Sequence, residues 1–90
     1  MTTVEIRSEI PSWEPSREGV EASIRDAFQG LAGEWKVEIL CSRLAPERWM
    51  VRINGPAFEW YLTLSGDERH DPEAVAVRFH AALRDARRDR

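Results

Sequence analysis

Between Trp35 and Ser65 the chain alternates large apolar with polar residues in three consecutive runs, and on both sides of that block the period becomes helical. Trp35, Val37, Ile39 and Cys41 alternate with Lys36, Glu38, Leu40 and Ser42. Trp49, Val51 and Ile53 alternate with Arg48, Met50, Arg52 and Asn54, and Phe58, Trp60, Leu62 and Leu64 with Glu59, Tyr61 and Thr63. Successive side chains of a strand point to opposite faces, so each run predicts a strand with one face against a core. Arg43–Glu47 reads as a loose turn, and Asn54-Gly55-Pro56-Ala57 as a tight hairpin. Three such strands in a row predict an antiparallel meander over 35–65.

The flanks supply the cover for that sheet. Val20, Ile24, Ala27, Phe28 and Leu31 recur along one helical face, which predicts a helix over 16–33. Ser16 is its candidate N-cap, and Gly30 and Gly33 supply the stop. Asp71-Pro72-Glu73 opens a second helix over 71–88, with Val75, Phe79, Ala82, Leu83 and Ala86 as its stripe and residues 89–90 as a frayed tail. Ahead of both, residues 1–15 read as an edge strand, in which Val4, Ile6 and Ile10 alternate with charges, followed by a turn rich in proline and serine. Trp13 within that turn is expected to lie over the core as a lid.

A sheet with one apolar face and two helices with one stripe each solve the burial problem by stacking. The fold class is therefore α+β: a two-layer sandwich in (β)αβββα order, both helices on one face of an antiparallel three-stranded sheet. The N-terminal segment is a candidate fourth strand at its edge. Trp35, Trp49, Trp60, Phe28, Phe58 and Phe79 would meet in one core. Ninety residues without a Pro/Gly-rich divider make a single domain, 1–90, with a thin core. No apolar run approaches the ~18 residues that a membrane span needs. Met1–Arg7 carries no secretory pattern and Cys41 is the sole cysteine, so a reducing cytoplasm is the expected location.

The order helix–three strands–helix resembles the double-stranded-RNA-binding fold over about residues 16–88. Members of that family carry lysines at the start of the second helix to grip phosphates. The matching stretch, Gly66-Asp-Glu-Arg-His-Asp-Pro-Glu73, carries acids at 67, 68, 71 and 73, which would repel a phosphate backbone. A nucleic-acid-binding domain on this scaffold is thus the alternative function, and nucleic acid the less expected partner.

The face away from the helices is the expected working surface. A four-residue hairpin loop sets Ile53 opposite Phe58, Val51 opposite Trp60 and Trp49 opposite Leu62, and Cys41 then faces Trp49 across the first turn. The outward residues fall into a charged row, Glu38–Arg52–Glu59, and an apolar row, Leu40–Met50–Tyr61. Three adjacent large apolar side chains form a patch where scattered ones would not. Leu40, Met50 and Tyr61, with Arg52 beside them, are the candidate partner-binding residues, for another protein or for a second copy of the chain.

Catalytic patterns are sparse. Cys41 has inward parity and is expected to be a buried, inert thiol. The serines lack a nucleophile-elbow pattern, and the glycines at 30 and 33 close a helix where a phosphate cradle would open one. His70, Glu73 and His80 are the residues on which a second alternative, a metal-binding or enzymatic protein, would rest. The sequence therefore points to a non-enzymatic protein–protein interaction domain with no cofactor.

Overall fold

The computed structural model describes residues 2–42, 44–56 and 58–88, and the expected tail at 89–90 lies outside them. Strand β1 (Thr2–Ser8) leads into helix α1 (Arg17–Ala27). Strands β2 (Gly33–Cys41), β3 (Arg48–Gly55) and β4 (Phe58–Ser65) follow, then a 3-10 turn (Gly66–His70) and helix α2 (Pro72–Arg88). The four strands form one sheet in the order β1-β2-β3-β4. The N-terminal segment is a full member of it, pairing parallel to β2 from Thr2 opposite Gly33 to Ser8 opposite Ile39. The remaining pairs are antiparallel, so the sheet is mixed.

One core fills the space between sheet and helices. Val20 and Ile24 of α1, Val75 and Phe79 of α2, and Val37, Ile39, Val51, Ile53 and Leu64 of the sheet are all sealed from solvent. The parity read from the alternating runs is the parity observed: odd residues of β2 and β3 face inward and even residues outward. Phe28 is the aromatic hub, its ring 5.2 Å from Trp35 and 6.3 Å from Phe79. Trp49 is buried at the opposite end of β3, against the 3-10 turn, and Trp60 is only half-buried. The side chain of Phe58 lies outside the described residues.

Several local expectations are corrected. Helix α1 ends at Ala27, six residues early, because the chain turns at Phe28 and passes through Gly30 at φ 82°. Ser16 does not cap α1 with its side chain; the hydroxyl is engaged elsewhere. Asp71 does cap α2, its Oδ1 accepting the Glu73 N–H at 3.0 Å. Trp13 is 76% exposed and is no lid over the core, whereas Ile10, three residues earlier, is buried in it. Arg17 Nη1 donates to the Ile10 carbonyl at 2.8 Å and fixes that plug against α1.

Register on the β4 side differs by two residues from the one expected. Strand β3 runs on through Gly55, which pairs with Phe58, so the connection is two residues long where four were expected. Ile53 consequently faces Trp60, Val51 faces Leu62 and Trp49 faces Leu64. The cause is Trp35: its ring lies directly over Gly55, in the space a Cβ would occupy, so this glycine serves the strand and not the turn. The expected pairing of Cys41 with Trp49 is observed.

Candidate interaction surface

The outer face of the sheet is built on even residues of β2 and β3 and odd residues of β1 and β4. With the observed register, one row reads Glu5–Lys36–Asn54–Glu59 and the next Arg7–Glu38–Arg52–Tyr61. Charge sign alternates along and between the rows across β1 and β2, and Asn54 and Tyr61 are the uncharged members. Such a checkerboard contributes a few tenths of a kcal/mol per exposed pair and keeps the face wetted. The third row is Leu40–Met50–Thr63, closed on the β1 side by the end of that strand.

Tyr61 therefore does not stand in the apolar row, and Glu59 does not stand in the row of Glu38 and Arg52. Tyr61 is opposite Arg52, diagonal to Met50, and its hydroxyl donates to Glu59 Oε1. Arg52 reaches the same carboxylate diagonally, Nη2 to Oε1 at 3.4 Å. Glu59 thus draws both the phenol and the guanidinium towards the hairpin end, away from Met50. It also holds the Tyr61 phenol above its ordinary range, first by accepting its hydrogen bond, then through partial desolvation and through its negative charge. Arg52 Nε is covered and has no partner among the described residues.

What remains of the expected patch is the direct pair Leu40 and Met50, 45% and 56% exposed. Leu44, in the connection just beyond them, is 98% exposed. Nothing in the sequence marked it, since a lone leucine in a polar turn carries no periodicity. These three gather at the β2–β3 end of the sheet and give that corner a different chemistry from the charged remainder.

On the other side of the same end lies a cleft of about 710 Å³ beyond the carboxyl ends of the parallel pair β1–β2. Trp49 forms part of its lining, with the Arg69 guanidinium 5.4 Å from the indole centroid and the His70 ring edge-on at 5.5 Å. Exposed Trp13 stands at the rim. His70 Nδ1 lies 2.9 Å from Ser16 Oγ and 3.6 Å from Glu14 Oε1, and Ser16 Oγ also donates to Glu14 at 3.1 Å. This link, between the start of α1 and the 3-10 turn, was invisible in sequence because its halves are 54 positions apart. Cys41 is half-buried in the cleft and not enclosed as expected; burial pushes its thiol up, with Glu9 adding to the rise and Arg69 opposing it.

His70, Glu73 and His80 are not brought together. His80 lines a separate dent with Gln29 and Arg84, and seven helical residues place Glu73 about 10 Å along the axis from it. Among the described residues no three potential metal ligands cluster. Two of the four acids of the Gly66–Glu73 stretch have local work: Glu68 Oε2 accepts the Ser65 N–H at 3.4 Å and its Oε1 lies 3.5 Å from Arg78, and Asp71 caps α2.

No family model and no curated protein matches the chain. Among solved structures, the crystal structure of the N-terminal domain of Protein Y from Thermus thermophilus superposes over 100% of both chains, with a TM-score of 0.57 and 15% identity. At that identity the likeness is one of fold: βαβββα, two layers. Among the described residues no helix is long and apolar enough to cross a membrane.

Proposed function

We propose that this domain is a non-enzymatic protein-binding module that engages another protein through the Leu40–Met50 corner of its outer sheet face. One observation carries the reading. Leu40 and Met50 form the cross-strand pair of large apolar side chains on a face whose neighbouring rows alternate in charge, and about half of each stays in water. Covering two such side chains offers a partner an anchor, while the checkerboard beside them fixes orientation through charge complementarity. Tyr61 and Arg52 belong to the orienting part, held in place by Glu59.

The cleft supports the non-enzymatic half of the reading. Cys41 is held as a thiol, which is the unreactive form. Ser16 and Glu14 both approach the same ring nitrogen of His70, whereas a proton relay needs nucleophile and carboxylate on opposite nitrogens. A free thiol without a disulfide partner suits a cytoplasmic setting.

The test is affinity capture from extracts of the cells that make the protein, comparing wild type with a Leu40→Ser, Met50→Lys double variant. Both positions are exposed, so the variant should keep its circular dichroism and melting temperature. Loss of a stoichiometric partner from the variant alone is the expected result. Identical sets of retained proteins would remove the corner from consideration.

A further inference from the structure

An open four-stranded sheet has two free edges, and here they are built differently. Each edge has one carbonyl held by a helix guanidinium, Val4 by Arg25 and Thr63 by Arg78, so the difference lies in the strands themselves. Two of the seven β1 residues are charged, Glu5 and Arg7, paired at 3.3 Å, and charged side chains along an edge discourage strand addition. The β4 edge is eight residues long, Phe-Glu-Trp-Tyr-Leu-Thr-Leu-Ser, with one charge among strand-forming side chains.

Which groups of β4 point outward is fixed twice over. Gly66 N–H donates to the Glu47 carbonyl at 3.0 Å, so even positions of this strand turn their backbone groups toward β3. Arg78 Nη2 reaches the Thr63 carbonyl at 2.9 Å from the other side, so odd positions turn theirs outward. The N–H and C=O of Glu59 and Tyr61 therefore line the open edge and have no strand partner among the described residues.

We propose that β4 pairs antiparallel with β4 of a second copy about a two-fold axis at Tyr61, joining the two four-stranded sheets into one of eight strands. The register follows from what each alternative sets face to face. An axis at Glu59 opposes two carboxylates, and an axis at Thr63 brings together the two Arg78 guanidiniums that lie on that residue's carbonyl. An axis at Tyr61 avoids both. It stacks tyrosine on tyrosine, sets each Glu59 carboxylate beside a Thr63 hydroxyl that can donate to it, and places each Trp60 against the opposite Leu62. Trp60 and Leu62 pack only partly against their own core, so the partner completes their burial. Thr63 can keep Arg78 and still accept the Glu59 N–H of the second copy, because a carbonyl oxygen has two lone pairs. Ala74 and Ala81 share with Arg78 the flank of α2 above this edge, and their small side chains leave room for the approach. The Leu40–Met50 corner stays open in the assembly and appears twice on the same continuous face. The proposal therefore stands independently of the function assigned to that corner.

Sedimentation equilibrium on the full chain tests it, with three sets of variants. Tyr61→Pro removes an N–H that β3 does not use, and is expected to abolish dimerisation while the far-ultraviolet spectrum stays that of the wild type. Thr63→Glu, an exposed change opposite Glu59 of the second copy, should raise the dimer dissociation constant roughly two- to thirty-fold over two symmetric pairs, and Thr63→Lys should lower it. In a Cys41→Ser background, Tyr61→Cys should close a disulfide across the axis on mild oxidation, and Glu5→Cys, exposed on the β1 edge, should not. A monomeric wild type overturns the proposal, as does a dimer indifferent to Thr63→Glu or one cross-linked through Glu5→Cys. The Thr63 variants and the cross-link decide the matter even if Tyr61→Pro fails to fold.

Discussion

Gly55 shows how a single residue sets the geometry of a whole hairpin. Its missing side chain is the floor on which the Trp35 indole rests, and Trp35 Nε1 donates to the Ala32 carbonyl at 3.2 Å, so the ring cannot swing aside. Gly55→Ala should therefore destabilise the domain by about 1–3 kcal/mol through overpacking. Urea unfolding followed by tryptophan emission measures it, and an unchanged midpoint would mean that the ring yields. Glu59 has a comparable hold on the outer face. It raises the Tyr61 phenol above its ordinary value of 10.0, chiefly by accepting its hydrogen bond. A raised folded-state value means that the contact favours the folded chain below the unfolded tyrosine's pKa and that this benefit is lost as pH climbs through the folded value. Tyr61 is the only tyrosine, so phenolate absorbance reports it without deconvolution. Glu59→Gln should move the titration midpoint down toward the ordinary value, and an unmoved midpoint would show that the carboxylate is not the cause.

At the scale of elements, sequence periodicity and contact geometry carry different information. Alternation determines which face a side chain takes, and the inward parity of Trp35, Val37, Ile39 and Cys41 and of Trp49, Val51 and Ile53 was legible as such. Neighbours across strands are another matter, because a slip of two residues leaves parity unchanged. Asn54-Gly55 has the chemistry of a turn, and only the long-range demand of Trp35 shows that Gly55 belongs to the strand. That slip moved Tyr61 out of the apolar row and reduced the candidate surface to Leu40 and Met50. The β2–β3 pairing, free of any such glycine, was legible to the residue. The caps divide similarly: Asp71 acts as its spacing implies, whereas Ser16 is diverted by His70, a partner no local pattern announces.

The molecule as a whole depends on its first strand more than the element order suggests. Helix, three strands and helix resemble a unit that could stand alone, with β1 as an accessory. Its pairing instead spans the sequence from Thr2 to Gly33 and closes the sheet over α1, with a radius of gyration of 12.6 Å, near the roughly 12 Å expected for a compact chain of this length. Ile10 is 1% exposed, and Val4 and Ile6 pack against the same core. Removing residues 1–10 would strip those side chains, leave Arg17 without its carbonyl, and expose Ile39 along the freed edge of β2. Complete burial of one such side chain contributes about 1.5–3 kcal/mol. One complete and two partial losses therefore approach the ~5–15 kcal/mol by which a whole domain is stable. A fragment of residues 11–90 should lose its cooperative thermal transition and bind a hydrophobic dye. A sigmoidal melt within about 1 kcal/mol of the full chain would instead show that the five later elements form the folding unit and that β1 is an addition to it.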